Sequence, residues 1–349
     1  MVNTAALKKT RWTRPPSLRI NCRMDFHLEM APMQGFTDHL FRDAYRRYFS
    51  GIDGTYSPFI LLERGGIRRR DDRELAAGRD EGEAFVPQIA AGSAEEARQL
   101  KTALCRAGFQ RVNLNLGCPY PMLTKKRRGA GALPHPTLVS DILTVLGEEM
   151  PKMVVSVKTR LGMTDADELA AVIPVLNRFD LEKIILHPRV AAQQYSGAPD
   201  WRRFDRYGRA LNAPVIANGD IDTPAAARNI LHDHPFAKGL MLGRGLLMDP
   251  FLPMRIREIP LPTAPGAALR GFHDHLFCAY EARLSPPHLL HRMTAFWSYF
   301  AASFPRGKKI YKAVKKSKHI EAYHAVVEAA FSAKQADNQI GSGNKGGNR

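Results

Sequence analysis

The amino-acid sequence predicts an α/β protein, a (β/α)8 TIM barrel followed by a small all-helical C-terminal domain. Short apolar strands recur through the first 245 residues, and each interval between them leaves room for a helix. Strands that alternate with helices indicate a parallel sheet, and eight such units fit a closed barrel, whose usual size is about 250 residues. Beyond a proline-rich linker at residues 260–265, the hydrophobic pattern is helical only.

The predicted strands are short apolar segments in chain order. They are His27–Met33, Gly54–Ile60, Phe85–Ala91, Arg111–Leu116, Met153–Arg160, Lys183–Arg189, Ala213–Asp220 and Gly239–Gly245. Predicted helices between them include Ala94–Ala107, Pro136–Leu146, Ala166–Phe179 and Pro224–Leu231. An open doubly wound sheet is the alternative, but it requires Gly-x-Gly-x-x-Gly after the first strand. The chain has Ala-Pro-Met-Gln-Gly at residues 31–35 instead.

Composition bounds the protein class. The 349 residues suffice for a large core, and 4 cysteines without regular spacing predict neither disulfides nor a zinc site. No apolar run has the length of a membrane span, and the basic N-terminus lacks the apolar segment of a signal peptide. We therefore expect a cytoplasmic monomer with no membrane segment and no metal.

The net charge of +17 predicts a polyanionic partner. Residues 306–318 contain seven basic residues and no acidic one, and Ile310 and Val314 are spaced as on one face of a helix. The segment is thus predicted to be a helix with an apolar seam and a basic face. Its candidate contacts with the polyanion are Lys308, Lys312, Lys315 and Lys316. A second basic cluster, residues 125–128, follows Cys118 closely.

Function in a barrel of this kind lies at the carboxyl ends of the strands. The residues at those positions are Pro32, Met33, Gln34, Gln88, Asn115, Cys118, Lys158, Arg160, His187, Arg189, Asn218, Gly219, Asp220, Gly243 and Arg244. Strands that are buried on both faces need few polar residues. Such a convergence of polar and cationic groups therefore predicts a site rather than a core.

The last two predicted strands end in Asn218-Gly219-Asp220 and Gly243-Arg244-Gly245. The loops after strands seven and eight are the usual phosphate site of this barrel, because glycine lets backbone N–H groups approach a phosphate. Arg244 would add a charge-assisted contact. A cation such as Lys158 would stabilise negative charge on the N1–C2 edge of a flavin ring. Flavin mononucleotide (FMN) therefore fits the predicted phosphate site and polar pocket together.

Cys118 lies in a Gly-Cys-Pro turn directly after the strand that ends at Leu116. Most unpaired cysteines are small buried hydrophobic residues. At the mouth of a barrel lined with polar groups, however, the thiol is a candidate nucleophile or general acid.

Taken together, these motifs resemble the tRNA-dihydrouridine synthases. The matching segments are Ala31–Asp38, Asn113–Pro119, Gly129–Gly131, Val155–Gly162, His187–Arg189, Gln194–Gly197, Asp200–Trp201, Pro214–Ile221 and Met241–Gly245. The resemblance is strong over residues 28–255 and loose around residues 291–300. The chain departs from the family pattern at Pro188 and Val190, at Pro134 and at Gln34, where the family often has Glu.

The resemblance implies reduction of specific uridines in tRNA to 5,6-dihydrouridine, with FMN as cofactor and NADPH as reductant. Hydride would pass from flavin N5 to uracil C6, and Cys118 would give a proton to C5. The implied FMN contacts are Pro32, Met33, Gln88, Lys158, His187, Asn218, Asp220, Gly243 and Arg244, to which strand-end position adds Gln34 and Gly219. Asn115 and Arg160 would contact the target uracil, and Tyr195 is a candidate lining residue.

Composition and hydrophobic pattern divide the chain into four segments. We expect a disordered basic arm over residues 1–23, with Met24 as a candidate start, and an FMN-binding barrel over residues 24–260. A helical RNA-binding domain over residues 266–332 would carry the basic face, and residues 333–349, rich in Gly and Asn, would be a disordered tail.

Three alternatives remain open from the sequence. An FMN barrel acting on a small pyrimidine shares the barrel and the phosphate site but does not explain the charge of +17. A dihydrouridine synthase acting on rRNA would have the same motifs. A non-enzymatic RNA-binding protein on an inactive barrel would be expected to lose Cys118 or Lys158, and both are present.

Overall fold

The computed structural model describes residues 26–343, except residue 64 and residues 149–151, and describes no side chains for residues 335–343. The predicted basic arm, Met24 and residues 344–349 lie outside the described residues. Within the described part of the chain, none of the helices combines the length and the apolar character needed to cross a bilayer.

Short strands alternate with helices up to residue 256, after which every described element is helical. The strands are β1 (His27–Met30), β2 (Thr55–Tyr56), β3 (Leu62–Glu63), β4 (Gly66–Ile67), β5 (Phe85–Val86), β6 (Gln88–Ile89), β7 (Arg111–Leu116), β8 (Val154–Gly162), β9 (Leu181–Val190), β10 (Val215–Asn218) and β11 (Ala237–Leu242). The α-helices of the barrel region are α1 (His39–Tyr48), α2 (Arg69–Glu81), α3 (Ala94–Arg106), α4 (Pro121–Thr124), α5 (Pro136–Gly147), α6 (Glu168–Leu176), α7 (Trp201–Ala210), α8 (Pro224–Asp233), α9 (Arg244–Met248) and α10 (Leu252–Ile256). The C-terminal helices are α11 (Pro265–Glu281), α12 (Pro286–Phe300), α13 (Gly307–Lys316) and α14 (Ile320–Gly343).

Seven strands form one parallel sheet in the order β1-β11-β10-β9-β8-β7-β6. Its register pairs Asn115 with Lys158 and Arg160 with His187 on neighbouring strands. Because parallel strands carry their carboxyl ends to one edge, this pairing brings the predicted site residues together.

The predicted second strand closes the sheet into a barrel. Its first residue, Gly54, bridges to Glu29 of β1, β2 pairs with β5, and Ile60 bridges to Ile89 of β6. Proline interrupts both partners in this region, at Pro58 and at Pro87, and proline cannot donate a ladder hydrogen bond. The predicted barrel is therefore confirmed, with its thinnest pairing at the second and third strand positions.

Helix ends follow local sequence signals. The Ser93 side chain accepts a hydrogen bond from the Glu96 N–H at the start of α3, and Thr223 caps α8 in the same way. The predicted helices at 94–107, 136–146 and 224–231 are observed within two residues of their predicted ends, whereas α6, predicted over 166–179, is shorter at both ends and spans Glu168–Leu176. The Glu168 carboxylate accepts backbone N–H groups at residues 163–165, which hold that segment as a turn.

The C-terminal helices confirm the amphipathic segment and correct the tail. In α13, Val314 is buried whereas Lys308, Lys312, Lys315 and Lys316 are exposed. Helix α14 continues through Gly343, where composition predicted disorder from residue 333. Residues 333–338 read Ala-Lys-Gln-Ala-Asp-Asn, and their alanine, lysine and glutamine are good helix formers that can extend an existing helix.

Candidate active site

One cavity of about 410 Å³ opens at the carboxyl ends of the barrel strands. Its size is typical of sites for small molecules and cofactors. The sequence-predicted residues that line it are Pro32, Met33, Gln34, Asn115, Cys118, Lys158, Arg160, His187, Tyr195, Asn218, Gly219, Asp220, Gly243 and Arg244. Gln88 and the α13 lysines do not line it.

Gln88 supports the site from below instead of lining it. Its side chain is fully buried, donates to Asn113 Oδ1 at 2.8 Å and accepts from Asn115 Nδ2 at 2.7 Å. Asn115 Oδ1 in turn accepts the backbone N–H groups of Gly117 (3.0 Å) and Cys118 (2.9 Å). Asn115 therefore shapes the cysteine turn and keeps only one amide hydrogen for a ligand.

Cys118 is half-buried and packs beside a small apolar cluster that includes Phe59 and Leu123. Burial raises the pKa of the Cys118 thiol, although the Tyr120 backbone N–H and the charges of Arg160 and Lys158 act in the opposite direction. The thiol is therefore protonated at neutral pH and can serve as a proton donor.

Gly129 makes the close packing behind Cys118 possible. Its φ is +58°, and a Cβ at this position would lie 2.8 Å from the Cys118 carbonyl oxygen and 3.1 Å from the Cys118 Cβ. The Gly129-Ala-Gly131 motif is thus the surface against which the cysteine turn rests.

Two cations, the half-buried Lys158 and the buried Arg160, face the cavity without a carboxylate partner in the described structure. Lys158 Nζ donates to Asn218 Oδ1 at 2.9 Å, and Arg160 Nη1 donates to the Val190 carbonyl at 3.0 Å. Burial, and then the charge of Arg160, lowers the pKa of Lys158 to about 7. Burial lowers the pKa of Arg160 to about 10. Both cations would gain from an anion or an electron-rich oxygen in the cavity.

The predicted phosphate loops hold an ion-pair cluster. Asp220 pairs with both Arg189 and Arg244, and Arg189 Nη1 also approaches His187 Nε2 at 3.2 Å. Burial acts to raise the pKa of Asp220, but hydrogen bonds and charge from Arg189 and then Arg244 lower it overall. Asp220 thus positions two arginines. Arg189 also lines the cavity, as its position at a strand end predicts, although the family resemblance did not include it among the FMN or uracil contacts.

His187 is neutral in this setting. Burial, followed by the charges of Arg160 and Lys158, lowers the pKa of His187 well below its ordinary value. Because Arg189 can only donate, the 3.2 Å contact makes His187 Nε2 an acceptor and places the ring proton on Nδ1.

The cavity also contains an unpartnered acceptor and a close backbone approach. Gln34 Oε1 is buried without a hydrogen-bond partner in the described structure. Gly219 has φ +133°, and a Cβ there would lie 3.1 Å from the His187 ring. A buried carbonyl oxygen of this kind calls for an N–H donor from a ligand.

Aromatic side chains form the rim, and sequence reasoning found only one of them. The Arg244 guanidinium carbon lies 4.5 Å from the ring centre of Tyr195, and the Arg160 guanidinium carbon lies 5.7 Å from the same ring centre. Tyr120 also lines the cavity, as does Tyr299 of α12, whose ring centre is 5.2 Å from that of Phe36. The helical region therefore contributes directly to the site.

A polar junction fixes α11 and α12 onto the loop after β1. Tyr280 OH donates to Asp38 Oδ1 at 2.9 Å, and Arg292 donates to Asp38 and to the Gly35 carbonyl. The Arg292 guanidinium carbon lies 4.7 Å from the centre of the Tyr280 ring. This junction holds the backbone next to Gln34. On the helical side, the sequence indicated it only through the loose family resemblance around residues 291–300.

A family model described as "Dihydrouridine synthase (Dus)" matches residues 29–339, which is most of the chain. The chain belongs to the dihydrouridine synthase family. It is 31% identical over 272 residues to the "Probable tRNA-dihydrouridine synthase" of Rhodobacter capsulatus, covering 75% of this chain and 81% of the relative.

Other relatives of this dihydrouridine synthase carry more specific names. It is 27% identical to the "tRNA-dihydrouridine(16) synthase" of Cupriavidus necator, over 83% of this chain and 92% of the relative. It is 28% identical to the "tRNA-dihydrouridine synthase B" of Vibrio cholerae, over 68% of this chain and 73% of the relative. The family is one of enzymes, and the expectation of an enzyme is confirmed.

Proposed function

We propose that this dihydrouridine synthase reduces specific uridines of tRNA to 5,6-dihydrouridine, with FMN as its cofactor and NADPH as its reductant. The observation that carries the proposal is the joint placement of a protonated thiol, Cys118, and two unneutralised cations, Lys158 and Arg160, around one cavity. A proton donor that faces cations suits a reaction in which negative charge builds on the substrate before protonation.

The cavity residues fit FMN on three counts. The arginine cluster around Asp220 lies at the usual phosphate site of the barrel and retains donors for an anion. Lys158 offers a half-buried cation to the N1–C2 edge of a flavin. Gln34 Oε1, buried without a partner, suits the imide N–H of a ring. When bound and reduced by NADPH, FMN would supply hydride to C6 of the uracil.

Three side chains of the protein would protonate, stabilise and orient the uracil. Cys118 would donate its proton to C5, and its raised pKa keeps that proton in place at neutral pH. Arg160, held by the Val190 carbonyl, would stabilise the developing charge on O4 of the uracil. The remaining amide hydrogen of Asn115 is directed by its contacts with Gln88 and the cysteine turn, and it would orient the base.

The substrate proposal rests on charge and on the relatives. The net charge is +17, and the exposed lysines of α13 form no ion pair with any described residue. The curated relatives cited above carry tRNA in their names. A basic surface of this kind binds the phosphate backbone, while the cavity receives a base that has left its stack.

The decisive experiment is mass spectrometry of tRNA and rRNA from cells with and without this gene. We expect dihydrouridine to be lost from specific positions of tRNA and to be unchanged in rRNA. Loss from rRNA alone would replace tRNA by rRNA as the substrate, and no loss from either RNA would overturn the proposal. The purified protein should also be yellow with stoichiometric FMN. A colourless protein that takes up no FMN on reconstitution would contradict the cofactor assignment.

A further inference from the structure

The segment between Cys118 and Gly129 exposes an unusual amount of apolar surface. Four large hydrophobic side chains are exposed among the described residues, and two of them, Tyr120 at 56% and Met122 at 64%, lie in this segment. Solvation of Tyr120 and Met122 costs stability that a purely structural turn would avoid. The segment is therefore a candidate contact surface.

Unpaired cations follow these apolar side chains directly. Lys125, Lys126 and Arg127 are all exposed, and none forms an ion pair with a described residue. The next residue differs: Arg128 is buried and donates to the Glu96 carboxylate at 2.9 and 2.6 Å. The basic cluster thus separates into one structural arginine and three available cations.

The backbone of this segment is anchored by its buried side chains and by proline. Leu123 is fully buried in the apolar cluster next to Cys118, and the pairing of Arg128 with Glu96 anchors the far end. Prolines at 119 and 121 flank Tyr120 and restrict its backbone to the extended conformation observed, φ −63° and ψ 130°. Because the backbone at Tyr120 is already restricted, less conformational entropy is lost when a base stacks on its ring.

Backbone strain marks the same segment. Arg127 has φ +53°, a left-handed conformation that costs a non-glycine residue about 1–2 kcal/mol. Glycine or asparagine would adopt this conformation more easily, so Arg127 occupies a position whose backbone conformation disfavours arginine. Such strain is typical of functional positions.

We propose that residues 120–127 form a second RNA-binding surface of this enzyme. Tyr120 stacks with a base next to the target nucleotide, and Lys125, Lys126 and Arg127 contact backbone phosphates. This inference rests on the proposed function, because the occupant is the substrate RNA. Tyr120 lies two residues from Cys118 and lines the cavity, and a base beside an extruded nucleotide has lost a stacking partner that an aromatic ring can replace.

The test measures binding of tRNA from cells that lack the gene. Tyr120→Ala should weaken the affinity about 5- to 100-fold, the usual range for loss of one stacked base, whereas Tyr120→Phe should bind like the unchanged protein. Val154→Ala is the matched control, because Val154 is another exposed hydrophobic residue, at the start of β8 and remote from the cavity. The control should bind tRNA normally.

Two further variants test the cations. Lys125→Ala and Lys126→Ala should each lower the slope of log affinity against log salt by roughly 0.7–0.9. Arg127→Gly removes the charge and suits the positive φ, so tRNA binding should weaken while the melting temperature stays the same or rises. A fall in melting temperature together with normal binding would assign Arg127 to structure alone.

The outcomes separate this inference from the proposed function. If the unchanged protein makes dihydrouridine and binds tRNA, but Tyr120→Ala and the lysine variants match it in affinity and salt slope, the second surface is overturned and the function stands. If the unchanged protein makes no dihydrouridine in any RNA, the proposed function fails first. Loss of affinity in Tyr120→Phe equal to that in Tyr120→Ala would refute stacking.

Discussion

Two basic regions of this molecule treat the same kind of charge in opposite ways. At the barrel mouth, Lys158 and Arg160 are held inside a cavity by single hydrogen bonds to neutral acceptors. On α13, Lys308, Lys312, Lys315 and Lys316 extend into solvent around a buried Val314. The first group is costly to keep charged, whereas the second is fully hydrated.

The difference shows how charge acquires a function. A buried cation without a counterion has an unfavourable solvation free energy, which an anionic or electron-rich ligand placed beside it reduces. Binding of such a ligand is therefore specific and depends little on salt concentration. Exposed lysines release counterions when they meet a phosphate backbone, so their binding is general and strongly dependent on salt. We expect one region to select the chemistry and the other to retain the RNA.

The largest expected effect tests the cavity alone. Cys118→Ala should reduce dihydrouridine formation by about 10²–10⁴-fold, because the general acid is lost, while FMN content and flavin reduction by NADPH persist. Cys105→Ala in α3, which does not line the cavity, is the control and should be active. Full activity of Cys118→Ala in an assay for dihydrouridine would remove the thiol from the mechanism.

Replacing Lys158 should weaken FMN binding but stabilise the FMN-free protein. Lys158→Met should weaken FMN binding by about 10- to 100-fold, as expected for the loss of a charge-assisted contact. It should nevertheless raise the unfolding free energy of the FMN-free protein at neutral pH, because a desolvated ammonium is removed. Lys101→Met is the control with the reverse expectation, since the buried Lys101 ammonium donates to the Val145 carbonyl at 3.0 Å and Met would leave that acceptor unpaired.

The pH dependence of this stabilisation has a definite direction. The pKa of Lys158 is lowered to about 7 in the folded state, so between that value and its unfolded pKa the unfolded chain binds the extra proton. Lys158 therefore destabilises the fold most at and below neutral pH, and the penalty disappears as the pH rises toward about 10. The gain from Lys158→Met, on the order of a few kcal/mol at pH 7, should shrink accordingly in denaturant titrations. If the stabilisation by Lys158→Met grew with rising pH, the inference that charged Lys158 destabilises the fold would be contradicted.

The exposed region should respond to salt instead. Changing Lys312, Lys315 and Lys316 to Ala together should weaken tRNA binding by roughly ten-fold at physiological salt and lower the salt slope by about one unit per lysine. FMN content should be unaffected, because these residues do not line the cavity. Lys152 and Lys238, both exposed at the amino ends of strands, provide the control variant. An unchanged affinity and slope would reduce α13 to a solvated face.

The smallest effect sharpens the geometry of the cysteine turn. Gly129→Ala and Gly108→Ala both place a side chain at positive φ, but only the first meets neighbouring atoms, since nothing lies within 4 Å of a Cβ at Gly108. Both variants should lose about 1–2 kcal/mol from backbone strain, and Gly129→Ala should lose more because its Cβ would lie 2.8 Å from the Cys118 carbonyl oxygen. Gly129→Ala alone should also lower the rate of uridine reduction, several-fold, because the turn that carries Cys118 is displaced. Equal rates in both variants would mean that the turn tolerates displacement.

Sequence reasoning located the barrel and most of the cavity because both depend on short-range pattern. Strand periodicity sets the sheet, and a residue at the end of a predicted strand in this fold must lie at one edge. The apolar pattern predicts continuous strands over 54–60 and 85–91, but Pro58 and Pro87 interrupt them, and only short pairs such as β2 and β5 form. The role of Gln88 was not readable, since its burial beneath Asn115 depends on side-chain packing across two strands.

Contacts over long sequence separations escaped prediction for the same reason. Tyr299 meets Phe36, and Arg292 meets Asp38, across more than 250 residues, and no periodicity links such positions. The ion pairs of Asp220 likewise required the fold to show that Arg189 and Arg244 share one carboxylate. The tail was misjudged from composition, because glycines near the C-terminus outweighed the helix formers before them.

The protonated state of Cys118 also affects the resistance of the enzyme to oxidation and alkylation. Peroxides and alkylating agents attack the thiolate, and the raised pKa of the Cys118 thiol keeps that species scarce although the residue is only half-buried. A cysteine used as an acid is thereby shielded from the damage that shortens the life of cysteines used as nucleophiles. The burial that favours the proposed proton donation by Cys118 would thus also protect its sulfur from chemical damage.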